Sequence, residues 1–143
     1  KAARGLLGAD ALFILGVDLI KDPGTLIAAY DDSAGVTAAF NRNLLVRANR
    51  ELGAGFDVDS FTHRAVWNAG ASRMEMHLEA GRDMTVQLEG RRIAFRRGET
   101  IHTESSRKYH EACVRELARA AGWAVSAFET GPAPSVALAL LEA

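Results

Sequence analysis

ALFILGV, Ala11 to Val17, is the stretch that decides the fold. It is a nearly unbroken apolar run, short enough to read as a strand buried on both faces, as in a parallel sheet. Asp18 follows at its carboxyl end, the edge at which open α/β sheets bind ligands. Upstream, residues 1–8 read as the tail of a helix and Gly8-Ala9-Asp10 as a turn. Downstream, Lys21-Asp22-Pro23-Gly24 breaks the strand. Asp22 can cap a short helix with Pro23 at its first position, placing Leu26, Ala29 and Tyr30 on one face.

Further on, Ser33 suits the N-cap of a second helix. Val36, Phe40, Leu44, Ala48 and Leu52 recur every four residues as its expected buried stripe, and Gly53 stops it. From Phe61 to Ser106 the period falls to two. Met74, Met76 and Leu78 alternate with charged and imidazole side chains, Met84, Val86 and Leu88 repeat the pattern, and Gly90 and Gly98 supply turns. This predicts an antiparallel meander with one buried face. Tyr109, Cys113, Leu117 and Ala120/Ala121 mark an amphipathic helix ending at Gly122. Trp123–Thr130 reads as a strand, Gly131-Pro132-Ala133-Pro134 as a tight loop, and Ser135–Leu141 as a second strand returning beside the first. Trp67 and Trp123 are expected in the core.

Composition sets outer limits. The chain has 143 residues, 48% of them hydrophobic and 24% charged, so it can bury a real core. A net charge of −1 gives no basic footprint, which argues against a nucleic-acid partner. The single cysteine, Cys113, excludes an internal disulfide and fits a reducing cytoplasm. No apolar run approaches the ~20 residues of a membrane span. His63, His77, His102 and His110 lack metal-ligand spacing, so no metal is expected. No glycine-rich phosphate loop and no nucleophile–base pair are visible. The chain opens on Lys1 rather than Met and runs quickly into a strand, which reads as a truncated reading frame or a trimmed chain.

Two segments carry chemistry. YDDSAGVTAAFNRNLL, Tyr30 to Leu45, places Asn41, Arg42 and Asn43 in a row where a purely structural helix prefers Ala, Leu, Glu or Lys. HTESSRKY, His102 to Tyr109, holds Glu104 in an extended stretch. Alternation would put His102, Glu104 and Ser106 on one side and Ile101, Thr103 and Ser105 on the other. A carboxylate there can accept a hydrogen bond from an imidazole N–H. The plain alternative is a solvated strand end, with Ser105 or Ser106 capping the next helix. Tyr30 is equally readable as a packing residue with a wet hydroxyl, and Met76 as a core filler.

Both segments resemble the ergothioneine-pathway histidine Nα-methyltransferases. The resemblance runs over essentially all 143 residues and matches only the carboxyl-terminal half of such an enzyme. It implies a fold class of α/β: the C-terminal part of a Rossmann-like class I methyltransferase fold with an inserted α+β substrate-binding subdomain. Strand, helix, strand and closing antiparallel strand is how that fold usually finishes. Its implied boundaries are methyltransferase core at 1–20, substrate-recognition insert at 21–106, and core again at 107–143.

The resemblance also implies roles. Tyr30 of the Tyr-Asp-Asp motif contacts the amino-acid end of the substrate. Glu104 of the Thr-Glu-x-Ser motif faces the imidazole, with Ser105 and Ser106 supporting it. Met76 of the Glu-Met dipeptide lines the ring pocket, Met74 being the competing choice. Lys108-Tyr109 stands where the family has Lys-Phe. Asp18, Lys21, Asn41, Arg42 and Asn43 match signature positions and are expected to shape the pocket and join the lobes. The cofactor is S-adenosylmethionine, its site mostly upstream, and the substrate L-histidine, trimethylated in three steps to hercynine. Much of the rate gain would come from holding a neutral nitrogen in line with the sulfonium methyl group. The fragment alone is expected to be inactive. The alternatives are an Nα-methyltransferase of another aromatic amino acid, which Glu104 argues against, and a non-catalytic amino-acid-binding module.

Overall fold

The computed structural model describes residues 1–8, 10–131 and 135–143. In chain order the elements are α1 (Ala2–Leu7), β1 (Leu12–Asp18), α2 (Pro23–Tyr30), α3 (Val36–Leu52), β2 (Phe61–Asn68), β3 (Arg73–Ala80), β4 (Met84–Leu88), β5 (Arg91–Phe95), β6 (Thr100–Arg107), α4 (Glu111–Ala120), β7 (Ala124–Thr130) and β8 (Val136–Glu142). They form two compact units, Lys1–Lys21 with Arg107–Ala143, and Asp22–Ser106. Ala9, within the expected first turn, and Pro132-Ala133-Pro134, within the expected tight loop, lie outside the described residues.

The first unit is a three-stranded sheet in the order β1-β8-β7. Both neighbouring pairs are antiparallel: Phe13 and Val125 each face Leu141, and Val17 and Thr130 each face Ala137. Among the described residues β1 thus has an antiparallel neighbour and one exposed face, not the parallel, doubly buried arrangement expected at 11–17. Leu12 and Ile14 are 65% and 68% exposed, because α4 covers only the face that carries Val17, Ala137, Ala139 and Leu141. Val114 and Ala118 are the buried residues of α4, whereas Leu117 is exposed. The expected stripe through Cys113 and Leu117 is thus rotated by one residue. Trp123 is buried as expected and its ring lies 5.7 Å from that of Phe13. Lys108 is fully buried and its ammonium binds the Asp18 carboxylate, which Lys21 also reaches at 2.8 Å. Burial pushes the Asp18 carboxyl up, but the two ammonium groups outweigh it and hold the group below its ordinary value.

The second unit packs α2 and α3 on a sheet of order β2-β3-β6, with β4 and β5 as a separate hairpin. The expected meander is correct in its strands and wrong in their order, since β6 returns beside β3. β2 and β3 are antiparallel, with His63 facing Leu78 and Ala65 facing Met76. Met74, Met76 and Leu78 are buried, as their period predicts, and Trp67 is half-buried. Leu45, Phe61, Leu78, Ala80, Val86 and Phe95 form the core, and the Phe61 and Phe95 rings meet edge to face at 5.6 Å.

Two expectations about α3 fail for local reasons. Gly35, not Ser33, occupies the N-cap, and the Asp32 carboxylate accepts from Val36 N at 3.0 Å and Thr37 N at 2.9 Å. A carboxylate reaching forward satisfies two of the otherwise unpaired amides of the first turn. The buried face carries Asn41 and Leu45, while Phe40 is 66% exposed and Val36, Leu44 and Leu52 are also exposed. Asn41 turns inward because it finds buried hydrogen-bond partners, and that rotates the apolar stripe outward. Gly53 ends the helix in the left-handed conformation as expected, with φ 61°.

Candidate functional site

Tyr30 closes α2, whose start is fixed by Asp22: its side chain accepts from Thr25 N at 2.9 Å, with Pro23 next in line. The Tyr30 hydroxyl lies 2.7 Å from Ser106 Oγ on β6, a hydrogen bond between residues 76 apart in sequence. The Tyr-Asp-Asp and Thr-Glu-x-Ser segments therefore meet inside one unit.

Glu104 is exposed beside them in sequence. It borders a shallow groove of about 160 Å³ together with Phe40, Asn43, Leu44, Arg47 and Thr103. Its carboxylate has no hydrogen-bond or ion-pair partner among the described residues, whereas neighbouring Arg47 is bound to Glu51 at 3.1 Å. Glu104 is thus a free acceptor at the mouth of an amphipathic groove. Thr103 Oγ1 donates to the Met76 carbonyl at 2.9 Å, tying β6 to β3. The Met76 side chain itself is buried.

Strict alternation through residues 101–106 does not hold. Ser105 Oγ lies 3.0 Å from His102 Nε2, and that ring nitrogen also donates to the Glu104 carbonyl at 3.0 Å. The His102 ring folds back on its own strand, so Ser105 serves the imidazole while Ser106 serves Tyr30. Of the two serines, Ser106 is the one joined to the other motif.

Three side chains that could suggest a cation site occur on β3 and β6. Ligand atoms of Glu75, His77 and His102 lie within 4.8 Å of one another. The Glu75 carboxylate is already engaged: Asn68 Nδ2 donates at 2.9 Å, Arg73 at 2.7 Å and His77 Nε2 at 3.2 Å. These donors, Asn68 first, hold it at about 2. The Arg73 guanidinium supplies the positive charge a metal would bring, and the His77 and His102 rings stack 4.7 Å apart.

Sequence reasoning set two residues aside that the fold makes central. In sequence Asn41 is expected only to shape the pocket and join the lobes, with no chemical role, and His63 counts only among histidines without metal-ligand spacing. His63 is 8% exposed, with Nε2 2.8 Å from the Tyr30 carbonyl and Nδ1 2.9 Å from Asn41 Nδ2. Asn41 is 5% exposed and also donates to the His77 carbonyl at 3.1 Å. The available signal was an Asn inside a helix, where it is a poor former, and a His at the same two-residue period as Phe61 and Ala65.

The described residues do not fit a nucleoside cofactor. Asp18, the acid at a strand end, is occupied by Lys21 and Lys108. Asp22-Pro23 opens the helix that follows β1, with the Asp22 carboxylate taken up by the Thr25 amide. A cavity of about 430 Å³ lies in the other unit among residues such as Phe13, Val114 and Trp123, and none of the expected substrate residues lines it. No helix among the described residues is long and apolar enough to cross a membrane.

Comparison with known proteins is consistent over the full length. A family model described as histidine-specific methyltransferase, SAM-dependent, matches residues 1–143. The chain is 47% identical over 141 residues to a histidine N-alpha-methyltransferase of Mycolicibacterium smegmatis, covering 96% of this chain and 43% of that protein. It is 43% identical over 123 residues to a histidine N-alpha-methyltransferase of Mycobacterium tuberculosis, covering 85% and 38%. It is 32% identical over 120 residues to the N-methyltransferase fsqC of Aspergillus fumigatus, covering 83% and 32%. The chain spans less than half the length of these curated relatives.

Proposed function

The chain belongs to the histidine-specific, SAM-dependent methyltransferase family, and from that premise we propose that the whole protein methylates the α-nitrogen of L-histidine. The product on this reading is hercynine, an intermediate of ergothioneine formation, and S-adenosylmethionine is the methyl source. Residues 22–106 are the part that recognises the amino acid, and the flanking segments 1–21 and 107–143 belong to a Rossmann-like core.

The observation that carries this reading is the 2.7 Å contact between Tyr30 and Ser106, which brings together the two segments that resemble the family. Glu104 accepts a hydrogen bond from the imidazole N–H of the substrate. The charge of the carboxylate makes that bond stronger than a neutral one. Ser106 and the Tyr30 phenol form a hydroxyl pair able to donate to the carboxylate end of an amino acid or accept from its amine. Ser105 supports the ring through His102, and Met76 backs the pocket from the core. Together these groups orient the amino acid and exclude water from one side. The described residues do not form the cofactor's site, and on this reading the 143 residues alone are inactive. The single half-buried Cys113 agrees with a reducing cytoplasm.

The test is Glu104→Ala in the complete protein, assayed for methylation of histidine and of phenylalanine. A hydrogen bond to a charged group contributes about 1.5–3 kcal/mol, so KM for histidine should rise roughly ten- to a hundredfold. KM for phenylalanine should move little. Equal changes for both would remove Glu104 from the imidazole site, and no turnover of histidine by the unaltered protein would end the reading altogether.

A further inference from the structure

We propose that Asn41 and His63 are positioning residues that hold Tyr30 against Ser106 through a neutral imidazole protonated on Nε2. The argument begins at the end of α2. The Tyr30 carbonyl belongs to the last turn of α2, where helix geometry supplies carbonyls with no amide from within the helix. His63 Nε2 fills that place at 2.8 Å. Tyr30 is thereby held twice, at its carbonyl by β2 and at its hydroxyl by Ser106 of β6.

The proton positions follow from the acceptors at the two ends. The carbonyls of Tyr30 and His77 can only accept. The His77 carbonyl, 3.1 Å from Asn41, therefore requires the amide nitrogen there, not the amide oxygen. The second hydrogen of that nitrogen points at His63 Nδ1, 2.9 Å away, which must present a lone pair. The only ring hydrogen is then on Nε2, where the Tyr30 carbonyl needs it. Every link has one allowed assignment. A charged ring would set Nδ1–H against the Asn41 amide N–H, two donors face to face, and the other neutral tautomer would set two acceptors face to face at Tyr30. Asn41 and His63 are both buried, so solvent does not relieve either mismatch.

The consequence is a chain of fixed hydrogen bonds from β3 through α3 and β2 to α2, ending at the residue that the proposed site presents to the substrate. This inference rests on that site reading for its effect on histidine. Its structural half stands on wild-type measurement alone.

The experiment uses the complete protein. Nitrogen-15 NMR of the histidine rings reads the tautomer of His63 directly, and the Nε2-protonated neutral form is expected at neutral pH. Calorimetric titration with L-histidine then compares wild type with His63→Leu, Asn41→Leu and His63→Gln. Losing the donor to Tyr30 in His63→Leu, or the amide that fixes its tautomer in Asn41→Leu, should weaken binding about tenfold. His63→Gln keeps an N–H for the Tyr30 carbonyl and should recover to within about threefold of wild type. In a Tyr30→Phe background, which lacks the hydroxyl being positioned, His63→Leu should have no further effect. Additive losses in that double variant would mean that His63 only supports the fold. A charged or Nδ1-protonated ring would overturn the relay even if the leucine variants fail to fold. Wild-type protein that shows the expected tautomer but binds no histidine would instead overturn the site reading.

Discussion

Exchanging Leu45 and Phe40 for alanine, one at a time, tests which face of α3 is buried. The apolar spacing in sequence favours Phe40 as core, whereas the fold buries Leu45 at 2% exposure and leaves Phe40 at 66%. Leu45 packs with Phe61, Leu78, Val86 and Phe95. Leu45→Ala leaves a hole in that cluster and should cost about 3 kcal/mol. For a domain of this size that is a fall in Tm of roughly 6–12 °C. Native stabilities run from about 5 to 15 kcal/mol, so the variant should stay folded at room temperature. Phe40→Ala removes a ring that is mostly in solvent and should stay within about 0.5 kcal/mol. Alanine's better helix propensity could even make it slightly favourable. Thermal unfolding of the 143-residue chain followed by circular dichroism gives both numbers. A larger fall for Phe40→Ala than for Leu45→Ala would refute the orientation of α3, and with it the inward placement of Asn41.

Other expectations follow from charged groups. The amides of Thr37 and Val36, Thr37 first, hold the Asp32 carboxyl at about 2, against 3.8 for the ordinary group. A lowered folded value means the cap is fully effective above pH 3.8 and is lost as pH falls through about 2. Hydrogen exchange at the Val36 and Thr37 amides should therefore gain protection factors above that window relative to Asp32→Ala, and the difference should vanish below it. Lys108→Met should destabilise the first unit by about 2–4 kcal/mol, since it removes a buried ammonium from Asp18. It should also raise the Asp18 carboxyl, which carbon-13 NMR of that group can follow, and an unchanged titration would show that Lys21 alone sets it. The Glu104→Ala and His63→Leu experiments complete the set.

Much was legible without coordinates wherever the information is local. Asp22-Pro23 started α2 and Gly53 ended α3 as read, because capping and left-handed backbone depend on a few adjacent residues. The strands around Met74–Leu78 followed from period two, and the closing pair near Trp123–Leu141 from the breaks at Gly122 and Gly131. The motifs around Tyr30 and Glu104 were visible because residue types in fixed order need no fold to be noticed.

What the chain alone could not specify was partnership across distance. Periodicity says that a face of α3 is special but not whether apolar or amide side chains meet the sheet, and here Asn41 and Leu45 do. Alternation gave sides to residues 101–106, but the His102 ring folding onto Ser105 and the Glu104 carbonyl altered them. Strand order, with β6 beside β3, depends on which long-range pairing closes the sheet. Residue order thus determined family, caps and strands. Tertiary contact alone decided that Tyr30 meets Ser106 and that His63 carries its proton on Nε2, because a hydrogen bond has direction and both partners must be in place before either donor is fixed.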